Sequence, residues 1–141
     1  MSPDADLDSK DIEVFFEHAR LDYKKISNSS WQTTCSGETN DFPVLIEKNR
    51  HGLVLKICSY VFSPDDKDCK LALYAHLLKL NGRMHQAKFH LEKSGWISLS
   101  LETTFTKKNL SLFHHKLKSL CAYADKHYLD VLNMAQSGHK P

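Results

Sequence analysis

The sequence predicts an α+β fold in which a five-stranded antiparallel sheet packs against helices, in the order α-β-β-β-α-β-β-α. Apolar and polar residues alternate in the segments 53–62 and 96–105, as they do in strands with one buried face. Apolar residues recur every three or four positions near both ends of the chain, which is typical of amphipathic helices. The sequence has no parallel βαβ series and no glycine-rich phosphate loop, so it does not indicate a doubly wound nucleotide-binding fold.

Length and composition predict one globular domain of ordinary size. The chain has 141 residues, of which 41% are hydrophobic and 26% charged, and its formal net charge is +2. A chain of this kind can fold around its own core without a disulfide or a bound metal. We expect a single domain over residues 8–135, between a flexible N-terminus at 1–7 and a flexible tail at 136–141.

Cysteine spacing and hydropathy favour a cytoplasmic protein. The four cysteines include no CxxC pair, and three of them lie in apolar patterns where a free thiol acts as a small hydrophobic side chain. The first residues are acidic and lack the apolar centre of a secretory signal. No apolar run approaches the roughly 18 residues that a membrane span needs. We therefore expect reduced thiols, a cytoplasmic location and no membrane association.

The first half of the chain predicts a helix followed by an antiparallel meander. Asp8 can cap a helix over residues 8–25, whose apolar stripe consists of Ile12, Phe15, Phe16, Ala19 and Tyr23. A polar break at 28–30 ends it. The three strands that follow are predicted at 31–35, 42–48 and 53–62, joined by turns that contain Gly37 and Gly52.

The second half predicts a helix, a hairpin and a long final helix. Residues 63–66 stop the third strand and begin the middle helix, and Asn81-Gly82 fits a left-handed helix end. Strands at 84–91 and 96–105 are joined by a turn at Gly95. The final helix has an apolar stripe of about six turns, formed by Leu110, Phe113, Leu117, Leu120, Ala124, Tyr128 and Val131.

Catalytic and metal-binding residues are not indicated by any motif. The nine histidines have spacings that do not converge on one face, and a zinc site needs four converging ligands. There is no GxSxG, and Cys58 has Lys56 as its one candidate activating neighbour on the strand. We expect no enzyme activity, no cofactor and no metal. The alternative is an enzyme with Cys58 as its nucleophile.

Nucleic-acid binding is a second alternative and would use the last helix. Lysines follow its solvent face at Lys107, Lys108, Lys116, Lys118 and Lys126. Single-strand binders usually combine such lysines with exposed aromatic platforms and dense arginine, which this helix lacks. The alternative is therefore a small regulatory module whose binding weakens with salt.

The face of the sheet opposite the helices is the main candidate for function. Strict alternation places on it five apolar and aromatic residues: Val54, Tyr60, Phe62, Met84 and Trp96. A bare surface of this kind usually marks an interaction site. We expect it to bind a segment of a client protein. The alternatives are that a second copy in a homodimer covers it, or that the middle helix does.

A family resemblance starts at residues 77–84, LLKLNGRM, which precede a strand, a glycine hairpin and the segment 96–105. This helix end, the phenylalanine of the next strand (Phe89) and the overall element order resemble YbjN-type proteins of the type III secretion chaperone-like superfamily. The element order is similar to that of class I secretion chaperones over nearly the whole chain.

The resemblance implies a non-enzymatic, ATP-independent binding protein. Secretion chaperones of this fold form dimers and hold an extended client segment against a hydrophobic surface, and related proteins assist assemblies such as carboxysome shells. The expected function is therefore that of a chaperone-like or assembly factor. It would bind its client through the apolar sheet face or through an open sheet edge.

Overall fold

The computed structural model describes residues 8–50, 52–104 and 110–136, which form three helices and one six-stranded antiparallel sheet. The elements in chain order are α1 (Ser9–His18), β1 (Lys24–Ser27), β2 (Ser30–Ser36), β3 (Asp41–Lys48), β4 (Gly52–Phe62), α2 (Lys67–Arg83), β5 (Ala87–Leu91), β6 (Trp96–Thr104) and α3 (Leu110–Gln136). The strand order across the sheet is β1-β2-β3-β4-β6-β5. The α+β class is confirmed, but the predicted number of five strands is wrong.

The additional strand arises because α1 is shorter than predicted. A capping box between Asp8 and Asp11 begins the helix, which ends at His18 rather than at residue 25. Arg20 adopts a left-handed φ of 56°, and the N–H of Leu21 donates to the carbonyl of Phe16. This is a Schellman ending, normally signalled by a glycine, which the sequence lacks here. The residues that follow are then free to form β1 against β2.

The core lies between one face of the sheet and the helices. Trp31, Ile46, Leu55 and Leu101 occupy neighbouring positions across four strands and are all buried. Helix α1 contributes Ile12 and Phe16 to this core, and α3 contributes Phe113, Leu120, Ala124 and Val131. The first and last helices therefore cover one face of the sheet, as expected from their apolar stripes. Helix α2 packs beside α3 and against β5.

The Asn81 side chain protects the sheet edge at β5. The predicted left-handed exit at Asn81-Gly82 is wrong, because the helix continues to Arg83. The Asn81 side chain instead pairs with the backbone of Phe89: Oδ1 accepts from its N–H at 2.7 Å, and Nδ2 donates to its carbonyl at 3.2 Å. The amide thus takes the place of a neighbouring strand at the centre of this edge.

The hairpin between β5 and β6 forms as predicted. Gly95 has a φ of 95°, a conformation that side chains with a Cβ rarely adopt. Its N–H donates to the carbonyl of Glu92, and the N–H of Glu92 donates to the carbonyl of Trp96. Register then pairs Phe89 with Leu99 and Ala87 with Leu101, which all point into the core.

Helix α3 is joined to the β2–β3 hairpin at two successive turns. Cys35 and Cys121 form a disulfide with a Cα–Cα distance of 5.5 Å, so the expectation of reduced thiols is wrong for this pair. One turn later, the Asp125 carboxylate accepts from the N–H of Glu38 at 3.0 Å and from Thr39. The periodicity of α3 places both residues on one side of the helix, which the sequence pattern did not relate to the hairpin.

The flexible ends are predicted at residues 1–7 and 136–141. Residues 1–7 and 137–141 lie outside the described ranges, whereas Gln136 is the last residue of α3. Among the described helices, none is long and apolar enough to cross a membrane.

Candidate protein-binding surface

An irregularity in β4 changes which residues face away from the helices. Between Ile57 and Val61 the pairing with β6 shifts register, so that three residues of β4 lie where β6 has one. Tyr60 lies within this bulge and turns into the core, where it is 4% exposed. Its hydroxyl donates to the carbonyl of Ala124 on α3 at 2.6 Å. The predicted placement of Tyr60 on the outer face is therefore wrong.

Met84 and Val54 also contribute less to the outer face than predicted. Met84 caps the C-terminus of α2 instead of starting a strand, and it is 5% exposed within the core. Its predicted exposure is wrong because α2 continues past Gly82. Val54 does point outward, between Glu47 of β3 and Glu102 of β6, and it is half-buried by these neighbours.

The centre of the outer face is polar. Lys56 lies 2.7 Å from Glu92, which also accepts from the hydroxyl of Ser98 at 2.8 Å. These bonds hold the pKa of Glu92 below its ordinary value, and the hydrogen bond to Glu92 raises the pKa of Lys56. His90 and Ser100 form a second pair, 2.7 Å apart. A partner covering this region would have to desolvate a charged network, so the centre is a poor apolar contact.

One end of the outer face is aromatic and exposed. Phe62 of β4 and Trp96 of β6 are cross-strand partners, and their rings make an edge-to-face contact with centroids 5.1 Å apart. They remain 49% and 37% exposed, respectively. A Cβ at Gly95 would lie only 3.1 Å from the Phe62 ring, so glycine is needed there for close packing as well as for its φ. The pair is therefore held in place while staying open to solvent.

A groove of about 540 Å³ adjoins this pair at the same end of the sheet. Buried aromatic residues of the core, Phe42 and Tyr60, form its inner part together with Tyr128, and the last turns of α3 contribute Leu132 and Ala135. Its residues come from the β2–β3 turn, β3, β4, β6, α3 and the β4–α2 connection, which contributes Asp65. This volume falls within the range of ordinary ligand clefts, roughly 300–1,000 Å³. We call it the aromatic groove.

The two edges of the sheet differ in their access. Asn81 occupies the centre of the β5 edge, whereas all four residues of β1 are exposed. Lys24 and Lys25 lie on β1, and its pairing is irregular between Lys25 and Ser27. Lysines and bulges are common means of discouraging a further strand at an edge. Strand addition is therefore open at β1 but disfavoured there.

The residues considered for catalysis, nucleic-acid binding and metal binding do not form a common site. Cys58 lies exposed in the β4 bulge, and desolvation raises its pKa more than Lys56 lowers it, the opposite of nucleophile activation. Lys118 and Lys126 are exposed on α3, while Lys116 bonds to Gln86, and residues 107–108 lie outside the described ranges. Among the described residues, no cluster of three His, Cys, Asp or Glu is placed to hold a metal.

Sequence reasoning therefore found part of this surface and missed the rest. Phe62 and Trp96 were predicted and do come together. The sequence pattern did not identify Asp41, Asp65 or the α3 residues of the groove, because periodicity within one segment does not show which distant segments meet. The two-residue shift within β4 likewise leaves no mark in an apolar pattern. Strict alternation predicts the outer face of the sheet for Tyr60, whereas the bulge turns it toward the helices.

Comparison with known proteins supports the fold. No known family model matches the chain, and no curated protein sequence matches it. Among solved structures, a chain in the structure of the heterodimeric complex ExoU-SpcU, from the type III secretion system of Pseudomonas aeruginosa, superposes with a TM-score of 0.60. The match covers 89% of this chain and 98% of the other at 12% sequence identity. The expected likeness to type III secretion proteins is confirmed at the level of fold, and YbjN membership stays a prediction.

Proposed function

We propose that this protein is a non-enzymatic, chaperone-like adaptor that binds a segment of a client protein. The observation that carries the proposal is the exposed Phe62–Trp96 pair beside the aromatic groove. Aromatic side chains in such positions are frequent anchors of protein interfaces. Its fold resembles that of a chain from a complex described as heterodimeric, which is consistent with a protein partner.

The geometry favours the aromatic end of the sheet over the sheet edge as the binding site. The β5 edge is occupied by Asn81, and the β1 edge is short and carries two lysines. The charged centre around Lys56 separates the aromatic end from Val54. We therefore assign the main client contact to Phe62 and Trp96, with strand pairing at β1 as the weaker mode. Secretion and assembly of larger bodies, carboxysome shells among them, are settings that such an adaptor would serve.

The test is client capture from the native source with matched variants. Phe62→Ala and Trp96→Ala should each reduce recovery of the same partner, since truncating an interface anchor typically costs about 2 kcal/mol or more. Val14→Ala removes an equally exposed apolar side chain on α1 and should leave recovery unchanged. Equal recovery by all three variants, with melting curves showing that they are folded, would refute this binding site.

We also propose that the protein forms a homodimer through α2. Leu71 and Leu78 are 60% and 71% exposed, and Ala75 lies between them on the same side of the helix. An antiparallel pair of α2 helices would place Leu71 against Leu78 of a second copy. The same register would bring Asp66 near Arg83, so the ends of the two helices are complementary in charge.

The oligomeric state can be measured without knowledge of the client. Light scattering after gel filtration should give twice the mass of one chain for the wild type and for Leu129→Lys, an exposed control on α3. Leu78→Lys should shift the protein to a monomer, because each lysine would lie against Leu71 of the other copy and lose its hydration without an ionic partner. A monomeric wild type at high concentration would exclude this interface.

A further inference from the structure

Within the described chain, the charged side chains that line the aromatic groove are all acidic. Two carboxylates, Asp41 and Asp65, lie among its lining residues, and the lining residues that the structure describes include no lysine, arginine or histidine. Both aspartates are exposed. The chain as a whole carries a net charge of +2, so this concentration of negative charge runs against the overall balance.

The backbone of α3 adds to this negative sign. The helix ends at Gln136, and Leu132, Ala135 and Gln136 all line the groove. Unpaired carbonyls at a helix C-terminus carry partial negative charge and favour a cation. No basic residue lies in the described last turn of α3.

Tyr60 forms part of the inner wall of the groove as a neutral side chain. Burial is the main cause that raises the pKa of its hydroxyl, followed by Tyr128 and by the carboxylates of Asp125 and Asp130. A cation entering the groove would meet favourable charge from Asp41 and Asp65 at its rim and from the helix end.

Trp96 supplies an aromatic face for such a cation. Its ring is partly exposed and meets Phe62 edge to face, so the pair offers one apolar wall beside the acidic rim. Arginine and lysine side chains bind well over indole rings, and their aliphatic stems cover apolar surface while the charged ends reach water or carboxylates. The lining thus suits a ligand that is both apolar and cationic.

We infer that the aromatic groove selects an extended client segment in which an apolar anchor is followed closely by arginine or lysine. This inference rests on the proposed client-binding function and specifies the chemistry of the client. The apolar anchor contacts Phe62 and Trp96, and the cationic side chain lies toward Asp41, Asp65 and the end of α3. An acidic segment is excluded by charge repulsion at the same rim.

The test uses two capped synthetic peptides on the full chain. One alternates leucine and phenylalanine with arginine, and the matched peptide has glutamate in place of each arginine. Tryptophan emission reports binding at this site, because Trp31 is fully buried in the core while Trp96 is partly exposed. We expect the arginine peptide to shift the emission and the glutamate peptide to leave it unchanged.

Two variants locate the binding and separate charge from shape. The double variant Asp41→Asn and Asp65→Asn should weaken the arginine peptide about fivefold, as expected for the loss of two exposed charge pairs. The control double variant Glu47→Gln and Glu102→Gln removes the same charge from the outer face away from the groove and should change the affinity little. Raising the salt concentration should weaken wild-type binding in the same direction.

The outcomes that overturn the inference differ from those that overturn the proposed function. Equal binding of both peptides, or arginine-peptide binding that is insensitive to the two aspartates, shows that the groove does not select a basic segment. Absence of binding by either peptide also overturns it. In each case, partner capture that depends on Phe62 and Trp96 would still support the client-binding function. Partner capture that does not depend on Phe62 and Trp96 would refute both the client-binding site and the inference about its client.

Discussion

The indole N–H of Trp31 donates to a carboxylate oxygen of Glu13 at 2.8 Å, which joins α1 to β2, the neighbour of the edge strand β1. The Trp31 side chain is fully buried, so this bond satisfies a donor that water cannot reach. Lys25 of β1 lies 3.0 Å from the same carboxylate. One side chain thereby holds α1, β1 and β2 together.

Glu13→Ala should lower the free energy of unfolding by about 1–3 kcal/mol, because it leaves the buried indole N–H without an acceptor. The measurement is urea denaturation. Glu13→Gln retains an oxygen acceptor and should lose less. A loss no larger for Ala than for Gln would show that the hydrogen bond contributes little.

The same carboxylate predicts a dependence of stability on pH. The hydrogen bond from Trp31, followed by that from Lys25, holds the pKa of Glu13 below its ordinary value of 4.5. Its contribution is therefore present above the ordinary pKa and is lost as the pH falls through the lowered one. Unfolding curves from pH 6 downward should show a smaller decline for Glu13→Gln than for the wild type.

The variant Tyr60→Phe distinguishes a role of the Tyr60 hydroxyl in stability from a role in client binding. Removing the hydroxyl deletes the bond to Ala124 and should reduce stability by about 1 kcal/mol, measured by thermal unfolding. Client capture should not change, because phenylalanine keeps the aromatic ring that lines the groove and leaves Phe62 and Trp96 in place. A Tyr60→Phe variant that keeps its stability but loses its partner would show that the Tyr60 hydroxyl contacts the client.

The Cys35–Cys121 disulfide predicts a response to reductant. Opening it, or replacing both residues with serine, should destabilise the protein by about 2–4 kcal/mol, as is usual for native disulfides that close long loops. The Cys58→Ser variant is the control and should respond to reductant as the wild type does. Identical unfolding curves with and without reductant would favour the reduced, cytoplasmic protein predicted from the sequence.

Asn81→Ala should weaken the β5 edge. It leaves the N–H and the carbonyl of Phe89 without their side-chain partner, at a cost of about 1–3 kcal/mol, and exposes a strand edge to other chains. Light scattering during mild heating should rise earlier than for Lys79→Ala, an exposed control on the same helix. Unaltered stability and scattering would mean that water replaces the amide without cost.

The sequence was sufficient where one physical signal dominated. Alternation of apolar residues in 97–101 identified β6 and its buried face, and the conformational freedom of Gly95 identified the hairpin. The helical stripe from Phe113 to Val131 identified α3 and the side that it buries. In each of these, local preference and burial agree.

The remaining features depended on contacts between distant residues. A left-handed arginine ends α1 early, and no residue type in 19–21 signals it. The β4 bulge is set by pairing with β6, so that it redirects Tyr60 without a local cue. The disulfide joins residues 86 positions apart, and spacing alone does not pair cysteines. Of these features, the β4 bulge shapes the candidate site, because Tyr60 lines the aromatic groove.

Because Asn81 occupies the centre of the β5 edge, β1 is the more open edge for contact between copies. Two copies joined there would form one continuous sheet with a closed edge at each end. No unpaired strand would remain to accept a third copy, so growth would stop at a pair instead of continuing into a fibre. A single amide side chain therefore limits the size of any assembly that this sheet can build through its edges.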